Sequence, residues 1–297
     1  MNRPFPVPVV TTGPGSQPET DDWSCLPLPS VVETWRSPDT PGPSTPGSRE
    51  VLALLRNTIA ALGDNPSPAQ PLVFPVGALS SDAHQLLAQV MGEGEVSAQV
   101  MPSAPTRGTL ADTAALVRIQ ESRYPGIWRV IVDSANGERI DDRIEIGAVP
   151  AAILDEARHS GTTQGTVPDA SGHDLMNAPS IATEIVAAQA KAVGRHGAGS
   201  HVVNFSLLPV SPADIAWLEG ILGTGSVGIF STGYGKCTVA ATGWRHVWRV
   251  RYFDGSNKIL LDTLDITLIP EVVVASAEDL ADSLRHLREI ADWLEQD

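Results

Sequence analysis

The first regular pattern of apolar positions along the chain begins at residue 48 and has a helical period. Ser48 can cap a helix and Gly63 can end it. Between them, apolar side chains recur every three or four residues, at Val51, Leu52, Leu55, Ile59 and Leu62. The pattern predicts a helix followed by a Pro-rich linker over residues 48–70.

A second pattern occurs twice and indicates an internal duplication. Residues 71–100 and 203–230 each contain an apolar strand, a serine cap, an amphipathic helix, a Gly-x-Gly break and another strand. Matching positions lie 131 residues apart: Ser80 with Ser211, Leu87 with Leu218, Gly92 with Gly223, Gly94 with Gly225 and Val96 with Val227. After an insertion of eleven residues around 101–112 in the first copy, the separation becomes 120 residues, as for Trp128-Arg129-Val130 and Trp248-Arg249-Val250, Ile146 and Ile266, and Pro150 and Pro270.

Later in each copy the apolar period changes to two residues, which is typical of β-hairpins. Residues 128–146 contain the turn dipeptide Asn136-Gly137, and residues 247–268 contain a turn at Asp254-Gly255. A helix is predicted over 179–193 and another from about Ser276. The final helix has an acidic face opposite an apolar one, which consists of Leu280, Leu284, Leu287, Ala291 and Leu294.

These elements predict an α+β fold made of two homologous modules of antiparallel sheet with packed helices. The first α+β repeat is assigned to residues 71–159 and the second to 201–297, with a linker containing one helix over 160–200. An approximate two-fold axis would relate the modules. They could form two separate domains or merge into one continuous sheet, and the sequence leaves both arrangements open.

Residues 1–47 have a different composition, with 11 of the 24 prolines. Because proline fixes φ and lacks a backbone donor, this segment is predicted to be an extended or disordered tail. Apolar patches at 5–10, 23–28 and 31–35 include two tryptophans. A spacer does not need such patches, so the tail is expected to dock on its own domain or on a partner.

Charge and length exclude several classes of protein. The 297 residues carry a net charge of −15, from 35 acidic and 20 basic side chains. This balance argues against binding to nucleic acid or an anionic membrane and suits a basic partner. The sequence shows neither a transmembrane span nor a signal peptide, which predicts a cytoplasmic protein.

Catalytic motifs are absent from the sequence. It contains no G-x-S-x-G, Ser-x-x-Lys or P-loop pattern. The Gly-x-Gly breaks follow helices, whereas a dinucleotide site needs them where a helix begins. We therefore expect a binding protein that is not an enzyme and has no cofactor.

Histidines and cysteines give two further candidate sites. Imidazoles at His159, His173, His196 and His201 lie in or beside the linker, but their spacing fits solvated loop histidines better than a metal site. Cys25 and Cys237 are the only cysteines. Lys236 could lower the pKa of the Cys237 thiol and favour a thiolate, or Cys237 could be a small buried hydrophobe.

Several segments together resemble the HupH/HyaF hydrogenase expression/formation proteins. They are residues 13–19, Asn177-Ala178, Leu207-Leu208-Pro209, Gly233-Tyr234-Gly235-Lys236-Cys237, Val247-Trp248-Arg249-Val250, residues 261–265, Pro270-Glu271-Val272 and residues 277–280. The resemblance runs in order from about residue 5 to the C-terminus. It departs around the cysteine, where the family usually has Asn and Arg and this chain has Lys236 and Thr238.

The resemblance implies a cytoplasmic chaperone for maturation of a nickel–iron uptake hydrogenase. Its expected partners are the iron–sulfur small-subunit precursor, bound before twin-arginine export, and other hydrogenase accessory proteins; a homodimer is also considered. The alternative is an iron–sulfur cluster carrier or repair factor in which Cys237 is a ligand. Candidate partner-binding or cluster-handling residues are Gly233, Tyr234, Gly235, Cys237 and Trp248.

Overall fold

The structure is a computed structural model, and it describes residues 45–63, 68, 70–101, 114–172, 174–233 and 235–296. The predicted tail, apart from its last three residues, lies outside the described residues. Six α-helices are present in the described part: α1 (Ser48–Leu62), α2 (Ser81–Met91), α3 (Ala151–His159), α4 (Ala178–Gly194), α5 (Pro212–Leu222) and α6 (Ala277–Glu295).

The strands form one antiparallel sheet. They are β1 (Leu72–Pro75), β2 (Val96–Val100), β3 (Ala114–Glu121), β4 (Ile127–Ser134), β5 (Arg139–Ile146), β6 (His201–Asn204), β7 (Val227–Ser231), β8 (Lys236–Ala241), β9 (Val247–Phe253) and β10 (Ile259–Ile266). All ten pair in the order β1-β5-β4-β3-β2-β7-β8-β9-β10-β6. The predicted α+β class is confirmed, and of the two arrangements left open the molecule has the continuous sheet.

The centre of the sheet shows how the duplication is built. β2 of the first repeat pairs with β7 of the second, and Ala98 lies opposite Ile229. These two residues are separated by the repeat distance of 131. Val96 pairs with Ser231, which is the equivalent of Val100 in the second repeat. Val100 pairs with Val227, which is the equivalent of Val96. An approximate two-fold axis therefore passes through the Ala98–Ile229 pair.

Most predicted helix starts and turns are found in the structure. The prediction of Ser48 as the cap of α1 is wrong: Gly47 is the N-cap, and Ser48 is the first helical residue, with its hydroxyl donating to the Thr45 carbonyl. The Ser80 and Ser211 side chains accept hydrogen bonds from the third helical N–H groups of α2 and α5. The helix predicted over 179–193 is α4. Pro150 precedes α3, whereas its counterpart Pro270 precedes only a short 3-10 helix, Glu271–Val273.

Three buried clusters cover the two faces of the sheet. Helices α1, α2 and α6 pack on one face of the first repeat, and α4 and α5 pack on the same face of the second repeat. We call this the outer face of the sheet and the opposite one the inner face. Ile127 points to the outer face, while the next residue, Trp128, points to the inner face. The inner cluster joins both repeats and is covered mainly by α3. The middle of the outer face is thus covered by neither helical cluster.

Helix α6 crosses from the second repeat to the first. Although it follows the second hairpin in sequence, its Leu280, Leu284 and Leu287 are buried with residues of α1 and α2. The first repeat therefore depends on the C-terminus for its core. No helix in the described part of the chain is long and apolar enough to cross a membrane.

Candidate functional site

The repeated Trp-Arg motif places one side chain on each face of the sheet. On the inner face, the Trp128 indole N–H donates to the carbonyl of Gly147 at 2.9 Å. The equivalent Trp248 N–H lies 3.2 Å from the carbonyl oxygens of Thr267 and Leu268. Both rings are 2% exposed, so these tryptophans anchor the core.

The arginines of the same motif make paired contacts on the outer face. Arg129 donates through Nε and Nη2 to the two carboxylate oxygens of Asp142, at 3.2 and 3.0 Å. Arg249 does the same to Asp262, at 2.8 and 2.6 Å. Bidentate pairs of this kind fix both side chains. The two aspartates were not identified from the sequence, although they too are 120 residues apart.

The predicted site residues do not form one accessible site. Gly233 and Gly235 lie in the turn between β7 and β8, with Gly233 close to the carboxylate of Glu95. Tyr234 lies outside the described residues. Cys237 and Trp248 belong to the inner core, at 3% and 2% exposure.

The environment of Cys237 is that of a core residue. Burial raises the pKa of its thiol to about 11, against the effect of a hydrogen bond with Tyr252. The Lys236 ammonium group donates instead to Asn257 Oδ1 at 2.7 Å. In this conformation Cys237 is a protonated, buried thiol, and a cluster ligand would have to be exposed and deprotonated first.

The linker histidines are dispersed. His159 Nδ1 lies 3.0 Å from the Asp155 carbonyl, and His201 Nε2 lies 2.7 Å from Glu184 Oε1. His196 is exposed, and His173 is outside the described residues. Among described residues, no group of three or more His, Cys, Asp or Glu side chains is placed to hold a metal ion.

One histidine that the sequence did not suggest lies in an unusual position. His246 is 6% exposed, has φ of 63°, and its Nδ1 has no hydrogen-bond partner. Burial, Arg245 and His196 lower its pKa. The equivalent position in the first repeat is Gly126, with φ of 79°. His246 lines a cleft of about 20 Å³, with room for little more than one water molecule.

A group of exposed apolar side chains lies at one end of the second repeat. Hydrogen bonds join the segments that carry it: Asn177 Nδ2 donates to the Pro209 carbonyl at 2.6 Å, and the Asp262 N–H donates to Ser206 Oγ at 2.9 Å. The apolar end surface, as we call it, consists of Met176 (66% exposed), Leu207 (81%), Leu208 (38%), Ile259 (45%) and Leu260 (63%). Exposed apolar groups that lie close together leave apolar surface open to a partner molecule.

Comparison with protein families gives one match that covers most of the chain. The family model described as the HupH hydrogenase expression protein, C-terminal conserved region, matches residues 48–161 and 175–294. The first matched region contains the repeat at 71–159, and the second contains all but the last three residues of the repeat at 201–297.

Full-length relatives agree with this match. The chain is 38% identical to the hydrogenase expression/formation protein HoxQ of Cupriavidus necator, over 98% of both chains. It is 34% identical to HupH of Rhodobacter capsulatus, over 97% of this chain and 98% of the relative. Identity to the hydrogenase-1 operon protein HyaF of Escherichia coli is 32%, over 95% of each. A solved structure of HupH from Thiobacillus denitrificans is 24% identical with a TM-score of 0.36, covering 39% of this chain and 96% of that one.

Proposed function

Because the chain belongs to the HupH family of hydrogenase expression/formation proteins, we propose that it is a chaperone that holds the iron–sulfur small-subunit precursor of a nickel–iron hydrogenase in the cytoplasm before twin-arginine export. The relatives' names support an accessory role in hydrogenase formation. The observation that supports holding of a precursor is the apolar end surface.

The apolar end surface suits reversible binding of an incompletely folded chain. Leu207 and Leu260 are 81% and 63% exposed, so each can transfer apolar area from water to a partner. The net charge of −15 would favour approach of the basic start of a twin-arginine signal sequence. Neither contribution requires a catalytic group or a cofactor.

The first experiment is anaerobic affinity purification of the tagged protein from cells that make the hydrogenase, with iron and sulfide assayed in the eluate. Recovery of the small-subunit precursor in a colourless sample is expected for a chaperone. A brown sample with iron and sulfide on this chain alone would favour the cluster-carrier hypothesis. Recovery of neither the precursor nor iron and sulfide would contradict both the chaperone and the cluster-carrier hypotheses.

A double substitution, Leu207→Ser with Leu260→Ser, tests the apolar end surface directly. Both side chains are exposed, so the variant should fold normally and should recover about tenfold less precursor. Val272→Ser is the control, because Val272 is a 42% exposed valine in the 3-10 helix Glu271–Val273, which follows the opposite end of β10. Equal recovery by the double variant and the wild type would remove this surface from the proposal.

The variant Cys237→Ser distinguishes the chaperone hypothesis from the cluster-carrier hypothesis. A chaperone that uses exposed apolar groups should retain precursor binding and hydrogenase maturation in this variant. The carrier hypothesis requires the thiol, so it predicts loss of maturation and of any bound iron. Comparison of the thermal unfolding of the two proteins controls for the small change in the inner core.

A further inference from the structure

We propose that the outer face of β3, β4 and β5 binds carboxylate side chains of an acidic segment of a partner protein, through Arg118, Arg129 and Arg139. We call these three residues the arginine face. The proposal does not depend on the hydrogenase precursor or on the apolar end surface, which lies on the other repeat.

The arginine face is formed by the register of three neighbouring strands. Arg118 lies opposite Ile131, and Ile131 lies opposite Asp142. The side chains of Arg118, Arg129 and Arg139 are 47%, 34% and 50% exposed. Asp133 and Asp142 beneath them are only 13% and 3% exposed. A partner would therefore meet guanidinium groups and the half-buried Ile131 before it met a carboxylate.

Each arginine keeps hydrogen-bond donors beyond those used within the sheet. Arg129 uses Nε and Nη2 for Asp142, and Arg118 uses the same two atoms for Asp133, at 2.8 and 2.7 Å. Arg139 uses Nη1 for Asp142 at 3.1 Å. A guanidinium has five N–H groups. Within the described part of the chain, no other group accepts a hydrogen bond from the remaining donors of these three side chains.

The second repeat shows what binds at the equivalent place. There, the carboxylate of Glu219 on α5 accepts hydrogen bonds from Arg249 at 2.6 Å and Arg251 at 2.8 Å. Arg249 is the counterpart of Arg129. The counterpart of Glu219 on α2 is Ala88, which is exposed and has no carboxylate. The first repeat thus has the arginine–aspartate pair but lacks the second acid.

Helices α2 and α5 are held on the sheet in the same way, so Ala88 and Glu219 occupy equivalent places. Gly94 N–H donates to the Glu121 carbonyl at 2.8 Å, and its counterpart Gly225 N–H donates to the Ala241 carbonyl at 3.0 Å. A partner carboxylate above Arg129 would therefore take the place that Glu219 takes above Arg249.

The charges on this face favour acidic protein over nucleic acid. Three arginines lie over two aspartates, which leaves a local excess of one positive charge in a chain of net charge −15. A phosphate backbone needs many cations to offset such long-range repulsion. Neighbouring strands are about 4.8 Å apart. A few carboxylates on a segment that crosses these strands therefore need only the three arginines.

The test uses the full-length protein and a synthetic peptide with alternating glutamate and serine, followed by NMR of the arginine Nε–H groups at low salt. We expect shifts at Arg118, Arg129 and Arg139 that weaken as salt screens the charges. Ala88→Glu supplies the missing acid internally and should weaken binding about fivefold or more, whereas Ala88→Gln should change it less than about twofold. Arg118→Gln with Arg139→Gln should weaken binding about tenfold.

Two controls define the results that would overturn the proposal. Arg285→Gln removes a 60% exposed arginine on α6 and should leave peptide binding unchanged. Shifts spread evenly over all exposed arginines, or binding that survives the Arg118/Arg139 double variant, would contradict the assignment. Inorganic phosphate binding as tightly as the peptide would assign the face to small anions. A dimer that sedimentation detects and Ala88→Glu dissolves would assign it to a second copy.

Discussion

Glu121 is a buried carboxyl group at the end of β3, next to the short connection between β3 and β4. It is 7% exposed, and its Oε1 accepts a hydrogen bond from the Gly126 N–H at 3.1 Å. Burial raises the pKa of Glu121 to about 7, against that hydrogen bond, and Glu95 and Asp279 add to the increase. In the folded protein this side chain holds a proton at pH values where the unfolded chain has lost it.

The raised pKa predicts a loss of stability as pH rises. Between about pH 4.5 and 7 the folded state binds more protons at Glu121 than the unfolded state, so the free energy of unfolding falls across this window, by at most about 3 kcal/mol. Glu121→Gln keeps an acceptor for Gly126 and should abolish this loss. Urea denaturation at pH 5 and pH 8 measures it.

His246 also contributes to the pH dependence of the free energy of unfolding, and its contribution has the opposite sign to that of Glu121. Burial lowers the pKa of His246, so its contribution is present above its unfolded pKa and is lost as pH falls. The difference between wild type and Glu121→Gln isolates the carboxyl. Glu93→Gln, at an exposed site, should behave as wild type. A variant with the full wild-type pH dependence would show that Glu121 titrates normally.

At the scale of elements, one carboxylate joins the starts of two helices. Asp214 Oδ2 accepts from the Ser211 N–H and hydroxyl, both at 2.8 Å, in the capping box of α5. Its Oδ1 accepts N–H groups at the start of α4 from Met176, Asn177 and Ala178. Burial raises the pKa of Asp214, but these hydrogen bonds outweigh it and lower the pKa to about 2.

We therefore predict that Asp214→Ala destabilises the protein more than loss of an ordinary helix cap. Five N–H or hydroxyl donors lose their acceptor, and the free energy of unfolding should fall by about 3 kcal/mol. Ser276→Ala removes the single side-chain cap of α6 and should cost about 1 kcal/mol. Urea denaturation at neutral pH compares them, and similar losses would show that Asp214 acts on α5 alone.

At the scale of the whole molecule, the two repeats share their core and their sheet. Leu287 of α6 is 0% exposed and packs with the first repeat, although it follows the second in the chain. β2 and β7 connect the repeats through five paired positions. Disturbing one repeat should therefore disturb the other.

Leu287→Ala tests this coupling. The cavity should lower the free energy of unfolding by about 3 kcal/mol. Because the sheet is continuous, hydrogen exchange should show a similar loss of protection for the most protected amides of β4 and β9, in different repeats. Loss confined to β4 would mean that the repeats unfold independently.

The sequence by itself determined the features that depend on neighbouring residues. Ser80 and Ser211 cap helices through local hydrogen bonds, and the turn at Asn136-Gly137 joins two strands, so composition and period were sufficient. The repeat was visible because its glycines and caps keep a fixed separation. The family resemblance also followed from the order of short segments.

Only the tertiary structure decided which distant residues meet. The pairing of Ala98 with Ile229 made one sheet from two repeats, and α6 packed on the first repeat. The bidentate partner of Arg129 and the burial of Cys237 also depend on neighbouring strands. Periodicity shows which side of an element is apolar. It does not show which other apolar surface will cover that side, since many distant segments in the chain satisfy the same hydrophobic requirement.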